Sequence, residues 1–167
     1  MSLLVRPRTP ADLPGLVAVL AAQQPTSRYP LRWPLPFPVE EFLVREGQEA
    51  AWVAEHDGRV VGHVAVGRPR PAEAAGFEAA AGTAALACVA VLFVDAGLRG
   101  LGVGGRLLDT AVAWAAERDL LPVLDVVPAH GPAVAFYRRR GWRQVGTLQP
   151  DWLPDPREPL LVMALTA

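Results

Sequence analysis

Ten successive residues, Ala85 to Val94, are apolar, and the chain then runs straight into a stretch with glycine at positions 100, 102, 104 and 105. After the glycines, Val103, Leu107, Leu108, Ala111 and Ala115 recur at helical spacing up to about Arg118. The order is therefore buried strand, glycine loop, amphipathic helix. A helix start leaves its first backbone N–H groups unpaired and carries the positive end of the helix dipole, so it favours an anion. Glycines let the main chain approach a phosphate without a Cβ in the way, and Arg99 and Arg106 add positive charge nearby. Four glycines within six residues exceed what a bare turn requires.

The rest of the composition narrows the setting. With 167 residues, 51% of them hydrophobic, and a net charge of -1, the chain is expected to be a single domain, residues 1–167, with a sizeable core. Disorder would need lower hydrophobicity and more net charge. A nucleic-acid partner would call for a basic excess, which 16 basic against 17 acidic residues does not supply. No apolar run approaches the roughly 18 residues of a membrane span, and Arg6 and Pro7 interrupt any signal-peptide core, so a soluble cytoplasmic protein is expected. Cys88 has no second cysteine to pair with, and His56, His63 and His130 are too scattered for a metal cluster. Lysine, asparagine and isoleucine are absent, a pattern of GC-rich bacterial codons. Without lysine there is no Schiff base and no Walker-type phosphate lysine, and two serines without G-x-S-x-G speak against a serine hydrolase.

Along the chain, Leu3 to Arg6 reads as a strand, and Thr9 to Asp12 opens a helix that ends near Gln23. Gln24 to Pro38, with five prolines among Tyr29, Trp33 and Phe37, reads as a loop. Glu40 to Gln48 suggests a short helix, and Ala51 to Glu55 with Val60 to Val66 a hairpin around Asp57-Gly58. Arg68 to Gly82 lacks a clean period and reads as a mobile connection, whereas Ala85 to Val94 reads as a strand covered on both faces. A strand over Leu121 to Val127, a helix over Pro132 to Arg140 and strands over Arg143 to Leu148 and Leu160 to Leu165 complete a mixed sheet with helices on both faces.

Gly100, Gly102 and Gly105 also satisfy G-x-G-x-x-G, with Asp125 twenty residues beyond, as in dinucleotide folds. In those folds the first glycine follows the strand almost directly, yet Asp95 to Arg99 intervene here. The chain as a whole resembles the GNAT superfamily of acetyl-CoA-dependent N-acetyltransferases instead. The family's Arg/Gln-x-x-Gly-x-Gly/Ala loop appears as Arg99-Gly100-Leu101-Gly102-Val103-Gly104. Val5-Arg6-Pro7 with Asp12-Leu13, the hairpin from Trp52 to Val64, and Ala133-x-x-x-Tyr137-x-x-x-Gly141-Trp142 are similar to the family pattern in the same order. His130 stands where the family usually has Asn, and Ala96 where it usually has Pro.

The resemblance implies an α+β fold with a mixed, mostly antiparallel central sheet, and acetyl-CoA as cosubstrate. It implies main-chain binding of the cofactor arm at Leu92 and Val94, with the pyrophosphate on residues Arg99 to Gly105. Leu92 N–H would polarise the thioester carbonyl, and Tyr137 would protonate the departing thiolate, while His130 would contact the cofactor. No motif fixes a general base; Glu55, His63, Asp95 and Asp125 are candidates. The acceptor would be a primary amine of a small molecule or peptide, with Tyr29 and Trp33 of the proline-rich loop lining its side. Neither a membrane nor a nucleic acid is expected as partner, and a homodimer is allowed. A non-catalytic acyl-CoA sensor and a dinucleotide oxidoreductase are the alternative readings.

Overall fold

In the computed structural model the strands β1 (Leu3–Pro7), β2 (Gln48–His56), β3 (Arg59–Gly67), β4 (Leu86–Val94), β5 (Leu121–Val126), β6 (Arg143–Leu148) and β7 (Leu160–Ala164) form one mostly antiparallel sheet in the order β1-β2-β3-β4-β5-β7-β6. The structure describes residues 2–153 and 158–166. These fall into two compact units, Met1–Val66 with Val89–Ala113, and Gly67–Cys88 with Trp114–Ala167.

The first unit begins with β1 (Leu3–Pro7), antiparallel to β2 (Gln48–His56) with Leu3 opposite His56 and Pro7 opposite Trp52. A two-residue turn joins β2 to β3 (Arg59–Gly67); Asp57 and Gly58 take φ of 49° and 82°, the left-handed pair that matches strand twist in tight hairpins. Helix α1 (Leu13–Ser27) and the short α2 (Val39–Leu43) lie on this unit's core, where Leu16, Leu20, Phe42, Leu43 and Val53 pack with Val91 and Phe93 of β4 (Leu86–Val94). The glycine-led helix α4 (Val103–Ala116) buries Val103, Leu107, Leu108 and Ala111.

Two boundaries differ from the sequence expectation for local reasons. Helix α1 runs one turn past Gln23, through Pro25, because side chains close its end. Gln23 Nε2 donates to the carbonyls of Leu20 and Tyr29 at 3.0 and 2.6 Å, Ser27 Oγ donates to Gln23 Oε1 at 2.6 Å, and Arg28 turns left-handed. Helix α2 stops at Leu43, short of Gln48, because Arg8 and Gln48 donate to the Leu43 carbonyl, each at 2.9 Å, and Gln48 enters β2.

The Arg6 and Asp12 of the N-terminal motif form a bidentate pair, both bonds at 2.9 Å. Hydrogen bonds from Arg6, then from Thr9, outweigh burial and hold the Asp12 carboxyl down to about 2 from its ordinary 3.8. A carboxylate held low contributes stability that is complete above its unfolded value and lost as the pH falls through its folded one. Asp12→Asn is therefore expected to cost about 2 kcal/mol near neutral pH. Urea unfolding of both proteins checks this, and the difference should shrink as the pH falls from 3.8 through about 2.

The second unit pairs the first residues of β4 in parallel with β5 (Leu121–Val126), Leu86 opposite Leu121 and Cys88 opposite Val123. Strand β5 is antiparallel to β7 (Leu160–Ala164), and β7 to β6 (Arg143–Leu148). Helix α5 (Gly131–Arg139) precedes β6.

Arg68 to Gly82, read as a mobile connection, holds helix α3 (Pro71–Ala81) instead. Its alanines bury little area each, so no apolar period showed, but its punctuation is regular: Pro71 occupies the first turn and Gly82 is the left-handed cap, its N–H on the Glu78 carbonyl at 2.8 Å. The helix lies close on β6, where a Cβ on Gly146 would come within 2.7 Å of Ala80 Cβ. Buried Glu73 accepts from Arg70 at 2.8 Å and from Trp152 Nε1 at 3.2 Å.

Strand β4 is not covered equally on its two faces, as expected from its unbroken apolar run. From Val89 on, Val89, Val91 and Phe93 are buried, and Ala90, Leu92 and Val94 are only half-buried. Among the described residues no helix is long and apolar enough to cross a membrane.

Candidate active site

The glycine loop lies wholly in the first unit, and its geometry follows from how β4 ends. Asp95 N–H donates to the Val61 carbonyl at 2.7 Å, and the Asp95 carboxylate accepts from Gly97 N–H at 2.8 Å, capping a single 3-10 turn over Ala96–Leu98. Those residues separate strand and glycines, the spacing that the dinucleotide pattern does not have. Gly100 and Gly102 then take φ of 82° and 80°, where an L side chain is strained.

A Cβ built on either glycine would meet no protein atom within 4 Å. Backbone conformation requires glycine here, and the space in front of the main chain is open. The helical ladder of α4 begins with Arg106 N–H on the Gly102 carbonyl at 3.1 Å, so the amides of Val103 and Gly104 precede it and have no helical acceptor. Leu101 and Arg99 are exposed, and Arg106 Nη1 donates to the Leu3 carbonyl at 3.0 Å. Open glycines, helix-start amides and two guanidinium groups fit a diphosphate.

Leu92 and Val94 precede this loop on the half-buried face of β4, whose pairing to β5 involves Leu86, Ala87 and Cys88. One residue earlier, Val91 has φ of 54°, an outlier for a β-branched residue. Its carbonyl accepts from Nδ1 of His63 at 2.8 Å.

His63 is fully buried on β3, stacked on Phe93 with centroids 5.6 Å apart and planes 20° from parallel, and its Nε2 lies 3.0 Å from Arg8 Nη1. A guanidinium can only donate and a carbonyl can only accept, so the ring is neutral, with the proton on Nδ1 and the Nε2 lone pair facing Arg8. Burial first, then the charges of Arg8 and Arg45, push its pKa down to about 4 against the opposing bond to Val91. With both nitrogens engaged, His63 is not the general base that the sequence allowed.

The other base candidates sit differently. Glu55 accepts from Arg6 at 3.2 Å, Asp95 caps the turn, and Asp125 is exposed on β5 opposite Val162.

Tyr137 and His130 belong to the second unit, His130 at the N-cap of α5 and Tyr137 in its last turn. The Tyr137 ring is half-buried, edge-on to Phe136 at 5.3 Å and to Trp142 at 5.9 Å, and its carbonyl accepts from Trp142 N–H at 3.1 Å. His130 caps α5, with burial lowering its pKa.

Tyr29 and Trp33 are partly buried against the first unit's core, Tyr29 edge-on to Phe42 at 5.7 Å. Arg8 has no sequence signature: it follows the Val5-Arg6-Pro7 motif, and its partners Leu43, Gln48 and His63 lie 35 to 55 positions away.

Comparison with known proteins gives these features a family. Residues 16–142 match the family model described as the acetyltransferase (GNAT) family. No curated protein matches the chain. Among solved structures, it is similar to ribosomal-protein-alanine N-acetyltransferase from Brucella melitensis at 29% identity and TM-score 0.70, covering 96% of this chain and 98% of that one. It is also similar to the histone acetyltransferase HPA2 and related acetyltransferase from Corynebacterium glutamicum, at 26% identity and TM-score 0.69, over 99% and 96% of the chains. An acetyltransferase from Bacillus anthracis, solved with acetyl coenzyme A, shares the fold at 18% identity and TM-score 0.69, over 99% and 100%. The chain therefore belongs to the acetyltransferase (GNAT) family, which takes acetyl-CoA as acetyl donor.

Proposed function

We propose that the protein acetylates the primary amine of a small molecule or a peptide by direct attack in a ternary complex. The observation that carries this reading is the loop, where Gly100 and Gly102 present main chain to open space ahead of the first amides of α4. Acetyl-CoA supplies an activated thioester.

The attacking amine's own proton passes to water, and the residues do the rest. The amides of Val103 and Gly104, with Gly100, Leu101, Gly102 and Gly105 beside them and Arg99 and Arg106 at the rim, hold the diphosphate. The main chain at Leu92 and Val94 aligns the cofactor arm, and Leu92 N–H donates a hydrogen bond to the oxygen on which charge develops. Tyr137 gives its phenolic proton to the leaving thiolate, and His130, its pKa lowered by burial, contacts the cofactor arm. Because the family model runs through both units, we treat residues 1–167 as one catalytic domain acting in the cytoplasm.

Thiol release measured over a panel of amines, including peptides with an N-terminal alanine, tests turnover. Catalysis with none of them, alongside tight CoA binding, would leave the acyl-CoA sensor in its place. The similarity to a ribosomal-protein-alanine acetyltransferase puts peptide amino termini first in that panel.

On the acceptor side we place Tyr29 and Trp33, whose partly exposed rings would meet an apolar acceptor body. Trp33→Ala is expected to raise the acceptor KM about tenfold while leaving CoA affinity alone, since a lost apolar contact of this size is worth about 1–3 kcal/mol. Steady-state kinetics with the acceptor varied checks this, and an unchanged KM would return both rings to a purely structural role.

A further inference from the structure

We propose that His63 is a positioning residue for acetyl transfer: by donating from Nδ1 to the Val91 carbonyl it fixes the plane of the Val91–Leu92 peptide and thereby aims Leu92 N–H. The proposal rests on the reading of Leu92 N–H as the donor to the developing negative charge.

The argument begins with the peptide unit. Val91 C=O and Leu92 N–H belong to one planar trans amide and point in opposite directions, so a bond that holds the carbonyl also sets where the N–H points. Ordinary strand pairing would orient this unit, but Val91 has left the extended region, with φ of 54°. A peptide flanked by such a residue has other orientations within reach, and a directional partner selects one of them. His63 is that partner at 2.8 Å.

The imidazole is itself held on three sides. Phe93 stacks on its face, the Val91 carbonyl takes Nδ1–H, and Arg8 Nη1 occupies Nε2 at 3.0 Å. Arg8 is anchored in turn by the Leu43 carbonyl at 2.9 Å and Gln48 Oε1 at 3.2 Å. Because Arg8 can only donate, it excludes the tautomer with the proton on Nε2 and keeps a donor facing Val91.

Hydrogen bonding to the carbonyl also polarises the amide, which makes the N–H on its other side a stronger donor. A residue present only to fill space here would be apolar. A buried imidazole beside an arginine costs desolvation that an apolar side chain would avoid.

Two near-isosteres separate the ring's two bonds. Asparagine can place its amide N–H where Nδ1 sits, and glutamine reaches the position of Nε2 but leaves Val91 without its donor. His63→Gln is expected to lower kcat about 10- to 100-fold, a part of the roughly 10²- to 10³-fold that outright loss of an oxyanion donor costs, with CoA affinity within about twofold by calorimetry. His63→Asn is expected to recover most of kcat.

In ligand-free, ¹⁵N-labelled protein, the Leu92 amide cross-peak should move in His63→Gln and return toward its original place in His63→Asn. Equal kcat or an unmoved Leu92 peak in His63→Gln would overturn the proposal. If His63→Gln does not fold, His63→Leu replaces it: the side-chain volume is nearly kept and Val91 loses its donor, so the same fall in kcat and the same peak movement are expected, their absence again overturning the role.

A ketone analogue of acetyl-CoA, with methylene for sulfur, tests the underlying reading separately. It should shift the Leu92 peak in the wild-type protein. No shift there would remove Leu92 as the donor and the role of His63 with it, whereas a clear shift together with unaltered His63→Gln kinetics would refute His63 alone.

Discussion

Calorimetric titration of Gly102→Val with CoA is expected to show binding weakened at least 100-fold, while the thermal unfolding of the apo protein changes far less. The two effects separate because of what surrounds the residue. At φ of 80° a β-branched side chain is strained by about 1–3 kcal/mol, so some stability is lost. No protein atom lies within 4 Å of the new Cβ, so no internal clash adds to it. The added side chain instead fills the space a diphosphate must enter, and twisting the loop moves the helix-start amides of Val103 and Gly104. Losing both shape and donors for a doubly charged group is worth more than ~3 kcal/mol, or over 100-fold. Unchanged CoA affinity would show that the diphosphate does not sit on this loop.

Tyr137→Phe is expected to lower kcat about 100-fold with CoA affinity unchanged within a few-fold. Phenylalanine keeps the edge-on contacts to Phe136 and Trp142, so α5 packs as before and only the hydroxyl is lost. A donor that acts in the transition state lowers kcat and kcat/KM together, and general-acid steps are worth about 10²- to 10⁴-fold. Stopped-flow thiol release separates the chemical step from product release. If chemistry is rate-limiting and its rate is unaltered, Tyr137 is a packing residue and the proton reaches the thiolate from elsewhere.

The glycine loop was legible in the sequence because its determinants are local. Glycine positions, strand-to-helix order and the residues Asp95 to Arg99 are all properties of one short segment, and the capped turn at Asp95 is the physical reason for the spacing. The Arg6–Asp12 pair was present as a motif before its bidentate geometry gave it meaning. Helix α3 was missed because alanines carry no amphipathic signal, although Pro71 and Gly82 marked its ends. The unequal cover on β4 was hidden by composition: Ala90, Leu92 and Val94 are as apolar as their buried neighbours. Least legible was the group around His63. Its bond to Val91 and its contact with Arg8 span 28 and 55 positions, and nothing local to any of the three residues announces the others. Tyr29 and Trp33, read from the loop's composition as lining the acceptor side, would be chosen for core packing and for substrate contact alike.

The left-handed valine carries an implication for how this chain can change over time. Glycine would relieve the backbone at position 91, a gain of about 1–2 kcal/mol. Val91, however, is buried beside Phe93 and Leu16, and removing its side chain forfeits about 1.5–3 kcal/mol of burial. Glycine adds a further loss of about 0.5–1 kcal/mol in backbone freedom. The loss outweighs the relief. Asparagine, which tolerates the conformation, would bury a polar amide in the same apolar cluster. Position 91 therefore sits on a local optimum with a step down on each of these sides, and the strained peptide ahead of the glycine loop is sheltered from drift by the core that its own side chain completes.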